Sequence, residues 1–118
     1  MKLSEAKRAI MRDLRGWRGV LDLDGWTIHS KFRHLDAETV ASCDASWPYK
    51  EATISFDLEA LAGCEREDIR KSVLHELVHL VCSGYQRIHT TEQLEYMTTT
   101  LTLALLRCWE APAPKERR

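Results

Sequence analysis

Residues 65–85, EREDIRKSVLHELVHLVCSGY, constrain this 118-residue chain more than any other stretch. Acidic residues crowd the beginning, where they suit the positive end of a helix dipole. Gly84 is a natural stop. Ile69, Val73, Leu77 and Leu80 or Val81 recur at helical spacing and mark an apolar stripe. A helix is predicted here, and its stripe needs a core to pack on. Inside the apolar run stand His75, Glu76 and His79. Polar side chains in that setting are costly to bury unless something partners them.

His75, Glu76, Leu77, Val78 and His79 form the pattern H-E-x-x-H. Residues four apart nearly eclipse on a helix, so both imidazoles point the same way. Two nitrogens presented like this can grip one zinc ion at about 2.0–2.1 Å each. Glu76 lies roughly 100° round from His75 and roughly 60° from His79, too displaced to be an easy third ligand. Zinc lowers the pKa of water from about 15.7 to about 7. Glu76 is placed to take that proton during attack on a carbonyl and to deliver it to a leaving amine. The plain structural alternative is a helix whose histidines hydrogen-bond internally, with Glu76 and His79 paired three apart.

A catalytic zinc takes three protein ligands and keeps a fourth position open. Downstream stand His89, Glu92 and Glu95. RIHTTEQ leads into a last predicted helix, with Leu94, Met97, Leu101, Leu105 and Cys108 as its buried face. Glu95 sits at the edge of that face and is the favoured third ligand. Glu92 faces more outward, as a first-turn residue stabilised by the dipole, and His89 precedes the helix. Both stay open as alternatives.

Upstream, Ser4 is a predicted N-cap for SEAKRAIMRDLRGW, whose Ala6, Ile10, Leu14 and Trp17 share a helical face and which should end near Gly16. Asp24-Gly25 marks a turn. Trp26, Ile28, Ser30 and Phe32 alternate with polar neighbours, as in a half-buried strand. ETVASCDAS is a weaker strand. WPYKE is a connection, since proline cannot pair in a central strand. ATISFDLEAL carries a third strand around Thr53 to Asp57. Together these predict an α+β fold with a small, largely antiparallel sheet packed on one face by helices. One domain is expected over residues 1–110, with APAPKERR (111–118) as a flexible tail. His29 and His34 should face solvent. Trp17, Trp26, Trp47 and Trp109 should be packing anchors, and Trp47-Pro48-Tyr49 a loop plug rather than a lip for peptide.

The formal net charge of −1 gives no electrostatic footprint for nucleic acid or anionic membrane. The opening MKLSEAKRAIMRDLRGW lacks the apolar core of a signal peptide, and no apolar run approaches a transmembrane helix. A cytoplasmic location is expected. Four cysteines, Cys43, Cys64, Cys82 and Cys108, are scattered without a C-x-x-C pair. That fits reduced thiols better than disulfides, and Cys82 and Cys108 are expected in the core.

VLHELVHLV, followed by a helix opening TEQLEYMTTTL, resembles the gluzincin branch of the zincin metallopeptidases. The likeness is to the very small members, the minigluzincins and short phage or prophage proteins of this type. In layout it covers roughly residues 26–106, and the H-E-x-x-H segment is its specific part. It implies a zincin-like order of N-terminal helix, sheet, H-E-x-x-H helix and glutamate helix. It implies His75 and His79 as metal ligands, Glu76 as the catalytic glutamate, and Glu95 as third ligand, because small residues follow three and four places later. ATISFD would be the strand along the upper rim of a cleft, where an extended peptide could add a strand. One departure is Thr99, where larger gluzincins often have an Asp that braces a histidine. Thr98, Thr99 or Thr102 would do so more weakly. Tyr85, His89 and Tyr96 are the candidates for stabilising an oxyanion. There is no H-E-x-x-H-x-x-G-x-x-H, which argues against a metzincin.

The expectation is a zinc-dependent peptide-bond hydrolase acting on a peptide or protein, with no nucleic-acid or membrane partner. A His/His/Glu set also accepts manganese, cobalt or nickel. The rival is a non-enzymatic, metal-stabilised phage or prophage module that binds another protein.

Overall fold

The computed structural model describes residues 1–85 and 90–110, and their side chains apart from those of Tyr85, Trp109 and Glu110. Helix α1 (Leu3–Val20) is followed by strands β1 (Thr27–Phe32), β2 (Ala41–Ser46) and β3 (Glu51–Phe56). Then come α2 (Leu58–Ala62), α3 (Arg66–Cys82), a 3₁₀ turn (Ser83–Tyr85) and α4 (Thr91–Glu110). Four helices and one three-stranded sheet make this an α+β fold among the described residues, the class predicted. His89, the expected tail at 111–118 and the side chain of Trp109 lie outside what is described.

The predicted stripe of α1 is the one buried: Ala6, Ile10, Leu14 and Trp17. Its ends differ from expectation. Lys2 occupies the N-cap, Ser4 lies inside the first turn, and the helix passes Gly16 to reach Val20. Trp17, only 4% exposed, supplies the reason. Keeping its ring in the core outweighs the ~1 kcal/mol that a helical glycine costs. A bidentate clamp ties α1 to α3, with Arg66 Nη1 and Nη2 donating to Asp13 at 2.6 and 2.7 Å.

The strands fall where the alternation placed them, but the sheet is mixed rather than largely antiparallel. The order is β1-β3-β2. β2 pairs antiparallel with β3, Cys43 opposite Ile54, while β1 pairs parallel with it, Ile28 opposite Ala52. Alternation reports which face a side chain takes, not the direction of the neighbouring strand. Residues 47–50 are too few for a crossover, so β2 and β3 must run antiparallel. Between β1 and β3 lies β2 itself, enough chain to bring β3 back parallel. The turn at 47–50 plugs nothing: Trp47 is 44% and Tyr49 82% exposed. Trp47 instead leans on Gly84, where an added Cβ would sit 3.7 Å from its ring.

Asp57 closes β3 and caps α2. Its carboxylate accepts from the backbone N–H of Leu35 at 3.0 Å and of Ala60 at 3.2 Å, with His34 Nδ1 3.3 Å away. Those bonds, Leu35's first, hold its pKa below the ordinary carboxylate range. His34 and His29 are exposed, as expected.

α3 runs through the middle of the core. It opens with a capping box between Glu65 and Asp68 and buries Ile69, Val73, Leu74, Leu77, Val78 and Leu80. It packs on α1, β2 and α4. α4 starts at its own capping box, Thr90 with Gln93. Its buried face is the predicted one only in part, for Leu94, Met97 and Leu105 pack against the core but the fully buried positions lie to one side of them. Thr98, Thr102 and Leu106 are buried, whereas Leu94, Met97 and Leu105 are half-buried and Leu101 is 40% exposed. Cys82 is in the core as predicted, but Cys108 is exposed. No described helix is long and apolar enough to cross a membrane.

Candidate functional site

The turn of α4 is what assembles the site. Glu95, Thr98, Thr102 and Leu106 follow one another at spacings of three and four, so they share a face. That face meets the last two turns of α3, where His75 and His79 stand four apart. His75 Nε2 lies 3.0 Å from Glu95 Oε1, and His79 Nε2 lies 3.3 Å from Glu95 Oε2. The two imidazoles are edge to face, with centroids 4.8 Å apart. One ligand atom from each residue falls within 4.8 Å of the others. Bonds of about 2.0–2.1 Å around a tetrahedral zinc put neighbouring donors about 3.3 Å apart, so this donor set fits such an ion. Glu92 is exposed and outside the cluster.

The ring of His79 is also held from behind. Thr98 Oγ1 lies 3.4 Å from His79 Nδ1, leaving Nε2 to face Glu95. Thr98 is fully buried, hydrogen-bonds the thiol of Cys82, and accepts at its carbonyl from Thr102 Oγ1 at 2.6 Å. Of the three threonines considered, Thr98 makes the direct contact, Thr102 supports it, and Thr99 is exposed. Burial, and then the neighbouring His75, push the pKa of His79 down, favouring the neutral ring that binds a metal.

Glu76 behaves differently from Glu95. It is 7% exposed, against 55% for the Glu95 side chain. No hydrogen bond or ion pair engages it among the described residues. Burial, and then the nearby Glu95 carboxylate, push its pKa up to about 7. Its carboxylate faces a cleft of about 320 Å³ lined also by His75, His79, Glu95, Ser83 and, from β2, Ala41, Ser42, Cys43 and Ala45. A second cleft of about 400 Å³ adjoins it, sharing Ala41, His75 and Glu76 and continuing past Val40, Cys64 and Lys71.

The rim of the cleft is β2, not ATISFD. That segment is β3, the central strand, and its Ala52, Ile54, Ser55 and Phe56 are buried. β2 is an edge strand, the one beside the cleft, and its weak alternation gave no hint of a role. Cys43, whose pKa burial and then Glu76 raise to about 12, is the cleft residue that sequence reasoning missed. A lone cysteine in a weak strand carries no signal for such a position. Tyr96 is 74% exposed and does not line the cleft, and the other oxyanion candidates, the Tyr85 side chain and His89, lie outside the described residues. The chain matches no family model, no curated protein and no solved structure.

Proposed function

We propose that His75, His79 and Glu95 bind a divalent ion, zinc first, and that the chain hydrolyses peptide bonds with Glu76 as general base. One juxtaposition carries this reading. Three metal-type donors from two helices converge at one point, and the carboxylate of the largely buried Glu76 opens onto the same cleft. A carboxylate set mostly in the core yet open to the cleft has the raised pKa that suits a general base. The resemblance of VLHELVHLV to gluzincins supports the same assignment.

Zinc held by these donors supplies a Lewis acid for a carbonyl and lowers the pKa of water. The chain's own residues do the rest. Glu76 accepts the proton of the attacking water and returns it to the leaving nitrogen. Thr98 fixes the ring of His79. β2 offers an open edge beside the cleft, where the backbone of an extended peptide can pair. The adjoining clefts leave room for chain on both sides of Glu76.

Elemental analysis of purified protein should find about one equivalent of zinc. Less than about a tenth of an equivalent, unchanged when zinc is added, ends the metal reading. Glu76→Gln should keep the ion and lose hydrolysis of unfolded protein or mixed peptides. Turnover equal to the parent's would remove Glu76 as base. Zinc retained by a parent chain without turnover would point to the protein-binding module, a reading favoured by Tyr96 standing outside the cleft.

A further inference from the structure

The apolar stripe that the sequence writes into α4 is not the face that α4 buries. Leu94, Met97, Leu101, Ala104 and Cys108 follow a three-four-three-four spacing. That is the seam with which one helix packs on another of its kind. At 100° per residue the seam lies roughly 120° round from the Thr98, Thr102 and Leu106 face that meets α3. Among the described residues it is only partly closed, because Leu94 and Met97 lay part of their surface on the core and the rest of the seam stays open. Leu101 is 40% exposed, Ala104 and Cys108 are exposed, and Leu94 and Met97 are half-buried. A contiguous apolar strip of this kind marks a contact surface.

We propose that this seam docks a second copy of the chain, its α4 lying antiparallel about a two-fold axis at Leu101. The order of side-chain sizes selects the occupant. Large residues, Leu94 and Met97, stand at one end of the seam and small ones, Ala104 and Cys108, at the other. An antiparallel copy sets Leu94 against Cys108, Met97 within about 1.5 Å of the level of Ala104, and Leu101 against itself, so large meets small on either side of the axis. A parallel copy would set Met97 on Met97 and leave a gap between the two Ala104 side chains. Charge selects the same direction. Arg107 flanks the seam. A parallel pair would bring both guanidiniums to one level, whereas the antiparallel pair separates them by about 18 Å along the axis and levels each with the other copy's Glu92 and Glu95 turns. No charged residue stands on the seam itself, so like faces like without repulsion. A self-complementary patch related by a two-fold axis is what a closed dimer requires.

The seam is only about 21 Å long, so the dimer is expected to dissociate in the micromolar range. Sedimentation over about 5 to 500 µM should show a monomer–dimer equilibrium. Leu101→Glu, and separately Ala104→Glu at an exposed small side chain, should weaken association at least about tenfold while circular dichroism stays that of the parent. Mild oxidation with diamide tests direction. Leu101→Cys should be captured as a disulfide dimer, and the parent, whose Cys108 thiols are held far apart, should not. A single monomeric species throughout the range overturns the proposal. So does a dimer that both glutamate variants leave intact, or a Cys108-linked dimer of the parent.

Discussion

α3 and α4 hold the candidate centre between them, yet they are anchored in different ways. α3 buries side chains on several sides, against α1, β2 and α4, and eight of its residues are buried, Glu76 among them. α4 packs chiefly on α3, and its buried residues among those described are two threonines and Leu106. The histidines therefore stand on a helix surrounded by the core, and Glu95 on a helix that meets the core along one side, through Thr98, Thr102 and Leu106 with the half-buried Leu94, Met97 and Leu105. A rigid pair of donors and an adjustable third suit a site that must admit both an ion and a substrate. The contrast also means that the two helices should answer very differently to the same kind of mutation.

The largest expected effect tests that contrast directly. Leu77→Ala on α3, at a side chain with no exposure, should cost about 3 kcal/mol in urea unfolding. Leu101→Ala on α4, measured dilute, should cost about 0.5 kcal/mol or less. Similar losses at the two positions would show that α4 is as deeply anchored as α3.

α3 was legible in the sequence because every signal agreed: acidic start, apolar period, glycine stop, and H-E-x-x-H within it. α4 was not, because two faces competed. Propensity and hydrophobicity favour a buried leucine stripe, and tertiary packing chose the threonine face instead. Glu95 reaches the histidines on that threonine face, not at the edge of the leucine one. The strands were legible by their alternation, but their directions were not. The rim role of β2 and the position of Cys43 depend on which strand ends at the sheet edge, and no local pattern encodes that.

The second effect turns on the buried carboxylate of α3. In metal-free protein the folded-state pKa of Glu76 is raised from 4.5 to about 7. The folded state thus binds the proton more tightly than the unfolded one. This group's contribution is whole below pH 4.5 and is lost as pH rises through about 7. The loss amounts to about 3 kcal/mol. Glu76→Gln, which cannot ionise, should stabilise metal-free protein by about that much at pH 8 relative to the parent, and by little at pH 4. Urea unfolding at the two pH values, with a chelator present, measures it. The same difference at both would mean that Glu76 is not held in its neutral form by the fold. Glu95, more than half exposed, should show no comparable gain on change to Gln.

The smallest effect tests the contact that joins the two helices. Thr98→Val keeps the shape and burial of the side chain but removes the hydroxyl beside His79 Nδ1. Stability should fall by about 1 kcal/mol, the worth of a buried hydrogen bond. Zinc affinity, followed by competition with a chromophoric chelator, should fall about tenfold, as for other groups that orient a ligating histidine. The two readings are informative only together. A stability loss with unchanged zinc affinity would make Thr98 a packing residue, and His79 would then owe its orientation to Glu95 and the ion. A tenfold loss of affinity with the helix interface intact would mean that the polar face of α4 serves the site as well as the fold, which is a reason for threonine rather than leucine to face α3.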